Sequence, residues 1–246
     1  MKRLSVLTVG IAACLSLTLC LSGCKYNLQA PAAATTNTAT GFKAAATSGD
    51  AADNRTGQRR SRHGRADTQA APGTFDFYLL NLSWSPEFCA THTSTECGHG
   101  LGFVVHGLWP QNNSGDYPED CSDAPGPTNP QSYTDLIPTV SLIAHEWQTH
   151  GTCSGLAADA YFADIRKAFQ AVKIPSGVGA TSSVTPDQFL AGFASANPGY
   201  PAGSIALSCG NNRLTAVEVC LTKNLQPEAC QGVRSCRANV IQITAQ

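Results

Sequence analysis

From Thr74 onward, apolar and polar positions fall into patterns that can be read as elements. Phe75-Asp76-Phe77-Tyr78-Leu79-Leu80-Asn81-Leu82 is dense in aromatic and aliphatic side chains with weak alternation, as in a mostly buried strand. Ser85-Pro86 is expected to end it, with Cys89 and Cys97 bracketing a polar loop. Gly102-Phe103-Val104-Val105 reads as a second buried strand that delivers His106 at its end, and Pro110 is expected to prevent much continuation. From Gln111 to Gln131 the turn formers Asn, Gly, Asp and Pro dominate, a long loop carrying Tyr117 and Cys121. Loops of that length in compact domains are often functional.

The period then changes. Tyr133, Leu136, Ile137, Val140, Ile143 and Trp147 recur at three- and four-residue steps, predicting helix from about Ser132, kinked or split at Pro138. Ala157 to Val172 repeats the pattern with Tyr161, Phe162, Ile165, Ala168, Phe169 and Val172 on one face. Thr185-Pro186-Asp187 supplies an N-cap, a first-turn proline and an acid ahead of Phe189, Leu190 and Phe193, a third helix. Ser204 to Ser208, Leu214 to Thr222 and Ala238 to Thr244 return to strand patterns, with Gly210-Asn211-Asn212 as a turn. Strands, then helices, then strands predict an α+β domain over residues 73–246.

The N-terminal part is different in kind. Met1-Lys2-Arg3 is a basic start, Leu4 to Leu19 an apolar run short for a bilayer span, and Leu21-Ser22-Gly23-Cys24 ends it. That ending resembles a bacterial lipobox, so residues 1–23 read as a signal peptide of the lipoprotein type and Cys24 as a lipidated mature N-terminus. An ordinary signal peptide or an uncleaved anchor are the alternatives. Residues 24–72 are rich in Ala, Thr and Gly with few large apolar side chains, a tether that lacks the surface to offset ordering entropy. The expectation is an exported protein of the periplasm or cell surface, held at the membrane by its lipid.

Of eleven cysteines, setting aside Cys14, Cys20 and Cys24 leaves eight, an even number in an exported domain, which points to disulfides. Charge separates the same two parts. Residues 25–72 carry seven basic and three acidic residues, net +4, while residues 73–246 carry seven basic and fourteen acidic, net −7. A domain gripping long nucleic acid by phosphate neutralisation is basic instead. Any specificity for a polyanion must therefore come from a local site.

His145-Glu146-Trp147-Gln148-Thr149-His150-Gly151-Thr152-Cys153 is the densest candidate for such a site, with His106 upstream as a third imidazole. A zincin places its two histidines four residues apart on one helical face. His145 and His150 are five apart, roughly 140° around a helix, whereas Glu146 and His150 are four apart. The spacing favours acid–base work over a metal, and no cofactor is implied. Two histidines and a carboxylate suit cleavage of RNA by its own 2′-hydroxyl, one neutral imidazole removing a proton and one protonated imidazole delivering one. A zinc hydrolase and a non-catalytic RNA-binding lipoprotein are the competing readings.

Phe103-Val104-Val105-His106-Gly107-Leu108-Trp109-Pro110 and the His145–Cys153 stretch resemble the two active-site segments of the ribonuclease T(2) family. Tyr78 to Cys89 is similar to its opening strand, and Leu207-Ser208-Cys209, Glu218-Val219-Cys220-Leu221 and Ser235-Cys236-Arg237 to its closing strands. The resemblance implies an α+β fold with a central, mainly antiparallel sheet packed against several helices, and an endoribonuclease acting on single-stranded RNA. It implies His106 as general acid, His150 as general base, His145 as phosphate ligand, Glu146 as a group that hydrogen-bonds or polarises the phosphate, and Trp109 and Tyr117 as base-stacking aromatics. It pairs Cys89 with Cys97, Cys121 with Cys153, Cys209 with Cys236 and Cys220 with Cys230, one choice among 105. Partners are then the RNA substrate and, through Cys24, a membrane; a monomer with no obligate protein partner is expected. Gln111 stands where many relatives carry a base-contacting aspartate, so no base preference is carried over.

In the family a lysine usually precedes the last histidine; here the residue is Thr149. A donor to the developing oxyanion is worth roughly 10²- to 10³-fold in rate. Thr149→Lys is therefore expected to raise turnover on RNA. An unchanged turnover number would mean that another cation fills the role.

Overall fold

The computed structural model describes residues 66–67 and 70–246. The signal peptide, Cys24 and most of the tether lie outside the described residues. In chain order the elements are β1 (Ala66–Asp67), β2 (Phe77–Trp84), α1 (Ser85–Thr91), β3 (Phe103–Gln111), β4 (Tyr117–Pro118), α2 (Val140–Thr149), α3 (Ala158–Ala171), β5 (Ser183–Val184), α4 (Pro186–Ala196), β6 (Ile205–Gly210), β7 (Arg213–Leu221) and β8 (Ile241–Gln242). One-turn 3₁₀ segments precede α2 at Pro130–Tyr133 and follow it at Gly151–Cys153. This is the α+β arrangement expected.

The sheet runs β3-β2-β7-β8-β5, with β6 also paired to β7. Its long pairs, β2 with β3, β2 with β7 and β6 with β7, are antiparallel; β7 and β8 meet in parallel at Arg213 and Gln242. Alternation along β2 sorts its side chains. Tyr78, Leu80, Leu82 and Trp84 enter the main core with Ile143, Trp147, Tyr161, Phe162, Ile165 and Phe193 of the helices. Phe77 and Leu79 point to the other face, where they pack with Cys220 beside Trp109. Asn211 and Asn212 both adopt positive φ, 51° and 61°, as a tight hairpin between β6 and β7 requires.

Four expectations change. Ser85-Pro86 does end β2, but it also begins α1, because a proline fits the first helical turn and Glu87 adds an acid there. Glu87 accepts from Arg213 Nε at 2.8 Å and from the Thr244 hydroxyl, which anchors that helix to β7 and the C-terminal segment. Strand β3 runs through His106 to Gln111, so His106 lies within the strand rather than at its end, and little follows Pro110, as expected. This is the edge strand, where a missing N–H disturbs no central ladder. Helix does not begin at Ser132 but at Val140, after Pro138, where the Thr139 hydroxyl accepts from the Leu142 amide at 3.2 Å. The last strand shrinks to Ile241–Gln242, limited by the two-residue length of its partner β5.

The N-cap at Thr185 forms a full capping box with Gln188. All four disulfides pair as the family resemblance implies: Cys89–Cys97, Cys121–Cys153, Cys209–Cys236 and Cys220–Cys230. Cys121–Cys153 closes the longest loop, 32 residues, and ties the β4 loop to the end of α2. Replacing both cysteines by serine should lower the stability to unfolding by about 2–4 kcal/mol, read as a drop in the denaturation midpoint. An unmoved midpoint would show that packing alone holds the loop.

Candidate active site

The site forms where the edge strand β3 meets α2. Pairing of β2 with β3 slips between Asn81 and Leu82, since Asn81 faces Gly107 and Leu82 faces Val105. His106 is the extra residue of this bulge. Bulges bend a strand and re-aim a side chain. Here Val105 and Leu108 both reach the main core, while His106 and Trp109 turn to the site. On α2, Ile143, Glu146, Trp147 and His150 follow one another at helical spacing and are all buried, which draws a carboxylate and an imidazole into the stripe that packs inward.

Glu146 is the centre, with 0% of its surface exposed. Its Oε2 accepts from Trp109 Nε1 at 2.7 Å, and its Oε1 lies 3.3 Å from His106 Nε2. Gly107 makes this approach possible, since a Cβ there would collide with both Glu146 Oε2 and Trp109 Nε1. The second ring nitrogen of His106, Nδ1, pairs with the Ser83 hydroxyl at 3.2 Å. Glu146 Oε1 receives no hydrogen bond from the described residues, so the His106 approach is an ion-pair distance that counts when the ring is protonated, and the His106 side chain stays 38% exposed.

His150 caps α2, its amide donating to the Glu146 carbonyl at 3.1 Å. Its ring is buried, and Nδ1 has no hydrogen-bond partner among the described residues. Burial pushes its pKa down to about 4; Glu146 opposes that shift, and His145 and His106 add to it. The Trp109 ring stands between the two histidines, 5.5 Å from His106 edge-on and 5.2 Å from His150, tilted. His145 is exposed, 6.4 Å from the His150 ring, and its Nδ1 pairs with the Thr149 hydroxyl at 3.4 Å.

The structure therefore brings together His106, Glu146, His150, Trp109 and His145. Tyr117 is placed differently, in β4, paired in parallel with β1. Its loop reaches the site through backbone: the Asp120 amide donates to the Thr149 carbonyl at 2.9 Å, and the Cys121 amide to the Thr152 hydroxyl at 3.2 Å. Burial, with Glu119 nearby, raises the Tyr117 hydroxyl above its usual range. The remaining tryptophans pack structurally, Trp84 Nε1 donating to Thr244 O and Trp147 Nε1 to Ala124 O.

Ser83 and Asn81 are site neighbours that the sequence pattern did not single out. The signal was there: both are polar positions at period two in an otherwise apolar strand, on the face that carries Leu79.

Known proteins are similar to this chain in sequence or in fold. A ribonuclease of Aeromonas hydrophila is 48% identical over 88 residues, 35% of this chain and 40% of that protein. Ribonuclease DdI of Dictyostelium discoideum is 30% identical over 173 residues, 62% of this chain and 76% of its own length. A ribonuclease from the seeds of bitter gourd shares the fold, with a TM-score of 0.55 at 22% identity, covering 68% of this chain and 100% of that one. The chain spans less than half the length of the first two curated relatives it matches. The sequence model of the Ribonuclease T2 family matches residues 75–230, from the first core strand through the β7 disulfide, and on that span the chain belongs to this family.

Proposed function

We propose that the protein is an endoribonuclease that cleaves single-stranded RNA through its 2′-hydroxyl, with proton transfers carried by His106 and His150. The observation that carries the reading is the contrast between these two imidazoles around one buried carboxylate. His150 is buried and depressed to a pKa of about 4, so it is neutral at neutral pH and ready to accept a proton. His106 is open to solvent beside Glu146, which supplies a counter-charge when the ring is protonated. Environments that differ in this way assign the base and the acid.

In the first step the 2′-oxygen attacks phosphorus as its proton passes to His150, and the P–O5′ bond breaks as His106 protonates the departing oxygen. The product ends are a 2′,3′-cyclic phosphate and a free 5′-hydroxyl. In the second step the roles reverse: His106 takes a proton from water, His150 returns its proton to the 2′-oxygen, and a 3′-phosphate results. His145, exposed on the same helix end, is the phosphate ligand, oriented by Thr149. Glu146 and Ser83 hold His106 rather than touch the phosphate, since Glu146 is fully enclosed. Trp109 lies between the histidines, where a base or sugar would contact it, and Tyr117 is the second candidate for stacking.

A purely RNA-binding role would give no reason for a neutral base and a carboxylate-held acid at one place. Four disulfides support folding in an oxidising compartment. Among the described residues no helix is long and apolar enough to cross a membrane. Membrane attachment is assigned to lipid on Cys24, on the strength of the Leu-Ser-Gly-Cys sequence.

His106→Ala and His150→Ala should each lower cleavage of bulk RNA in excess chelator by about 10²- to 10⁴-fold, with cyclic phosphate ends on the wild-type products. Undiminished cleavage by both variants would overturn the assignment. The acid limb of kcat/KM should have its midpoint near pH 4, where His150 gains its proton in the free enzyme. A midpoint near the ordinary histidine value would remove His150 as the buried base.

A further inference from the structure

Glu218 on β7 and Asn81 on β2 stand directly opposite each other in the sheet, and Asn81 in turn stands opposite Gly107 on β3. Paired residues share a face, so the Glu218 side chain lies on the face that carries the site, two strands in from Gly107. Glu218 is 4% exposed and Asn81 5%. Such a carboxyl needs either a cation or several donors to stay ionised. Among the described residues its hydrogen bond comes from Asn81 Nδ2, at 3.3 Å.

The strand neighbours of Glu218 bring no lysine or arginine, and His106 faces Glu146 instead. Next to it on its own face, β7 contributes Ala216 and Cys220, and β6 places Ala206 opposite. On β2 the neighbours of Asn81 are Leu79 and Ser83, and on β3 they are His106 and Trp109, with Glu146 of α2 above Gly107. Of the segment after β7, Arg234 and Arg237 are exposed and Glu228 is half-buried. Burial raises Glu218 to about 7, with only the Asn81 amide working against it.

A second anomaly sits on the partner. Asn81 Oδ1 is buried and accepts no hydrogen bond from the described residues. An amide and a carboxylic acid pair through two parallel bonds, amide N–H to acid C=O and acid O–H to amide C=O. The first is present, and the second needs one proton on the carboxyl.

We propose that Glu218 is a neutral carboxylic acid donating to Asn81 Oδ1, and that its ionisation places a negative charge beneath the site and weakens RNA binding. One proton then satisfies both anomalies. Glu218 is a positioning residue in this sense: it touches no substrate and acts through charge. Two strand spacings separate it from Gly107, about 10 Å. For a phosphate at that scale of distance, at the effective dielectric of a protein, a unit charge changes binding by up to about ten-fold. The effect on RNA rests on the endoribonuclease reading above; the protonation state does not.

Two measurements on the whole protein test this separately. In the wild type the Glu218 side-chain carboxyl carbon, identified as the signal missing from Glu218→Gln, should titrate by NMR with a midpoint near pH 7. A midpoint at the ordinary carboxylate value overturns the proposal whether or not RNA is cleaved. In kinetics, the ratio of wild-type KM to E218Q KM should rise from near one at pH 5.5 to about ten at pH 8.5. A ratio constant with pH overturns it too, since a structural role for Glu218 would shift both pH values alike.

Discussion

The structure depends on one buried carboxylate. Glu146 is enclosed by its own helix, by the edge strand and by an indole, and it keeps its place because Trp109 donates to one oxygen and His106 faces the other. A buried charge without such partners would cost several kcal/mol. The requirement reaches outward. Gly107 must be glycine, since a side chain there would occupy the position of the carboxylate. His106 must be the bulged residue, because a regular ladder would carry it to the same face as Leu108. Helix α2 must pack with the stripe of Ile143, Glu146, Trp147 and His150 inward, which the Thr139 cap ahead of Val140 leaves intact.

The charge of the domain fits this arrangement. At net −7 over residues 73–246 it offers RNA little attraction at long range. Proton-transfer chemistry is concentrated instead in three imidazoles, one exposed on the helix end, one beside a carboxylate, one buried. The Thr149 hydroxyl pairs with the ring of His145, and its backbone carbonyl accepts from the Asp120 amide. The side chain braces the neighbouring imidazole without adding a charge.

Much of this was legible in the sequence, for identifiable reasons. The long apolar periods of β2 and α3, and the capping signals at Thr185, are local, so the elements they predict match those found. Pro110 and Ser85-Pro86 marked strand ends correctly, but neither showed that the edge strand carries His106 in its middle or that the residues after Trp84 form a helix that finds a partner. Both are tertiary information. Among the site residues, the motif histidines and Glu146 were legible as a cluster of unusual chemistry. Asn81 and Ser83 showed only as polar positions at period two in an apolar strand, and Gly107 not as a contact at all. Their importance comes from a one-residue slip between β2 and β3, which no single-strand pattern displays. Glu218 looked like part of a closing strand, and only its register opposite Asn81 gives it meaning.

Two buried groups near the site titrate in opposite directions, and the signs matter for how the fold tolerates pH. His150 is lowered from 6.5 to about 4, so its contribution to stability is complete above 6.5 and is lost as pH falls from there through 4. Glu218 is raised from 4.5 to about 7, so its contribution is complete below 4.5 and is lost as pH rises from there through 7. Between 4.5 and 6.5 the unfolded chain binds more protons at the histidine and fewer at the glutamate, and the two slopes oppose each other. Neither group alone could be buried without giving the domain a steep pH dependence over this window. In this window their two contributions offset each other, with a neutral acid held in the sheet and a neutral base at the end of the helix.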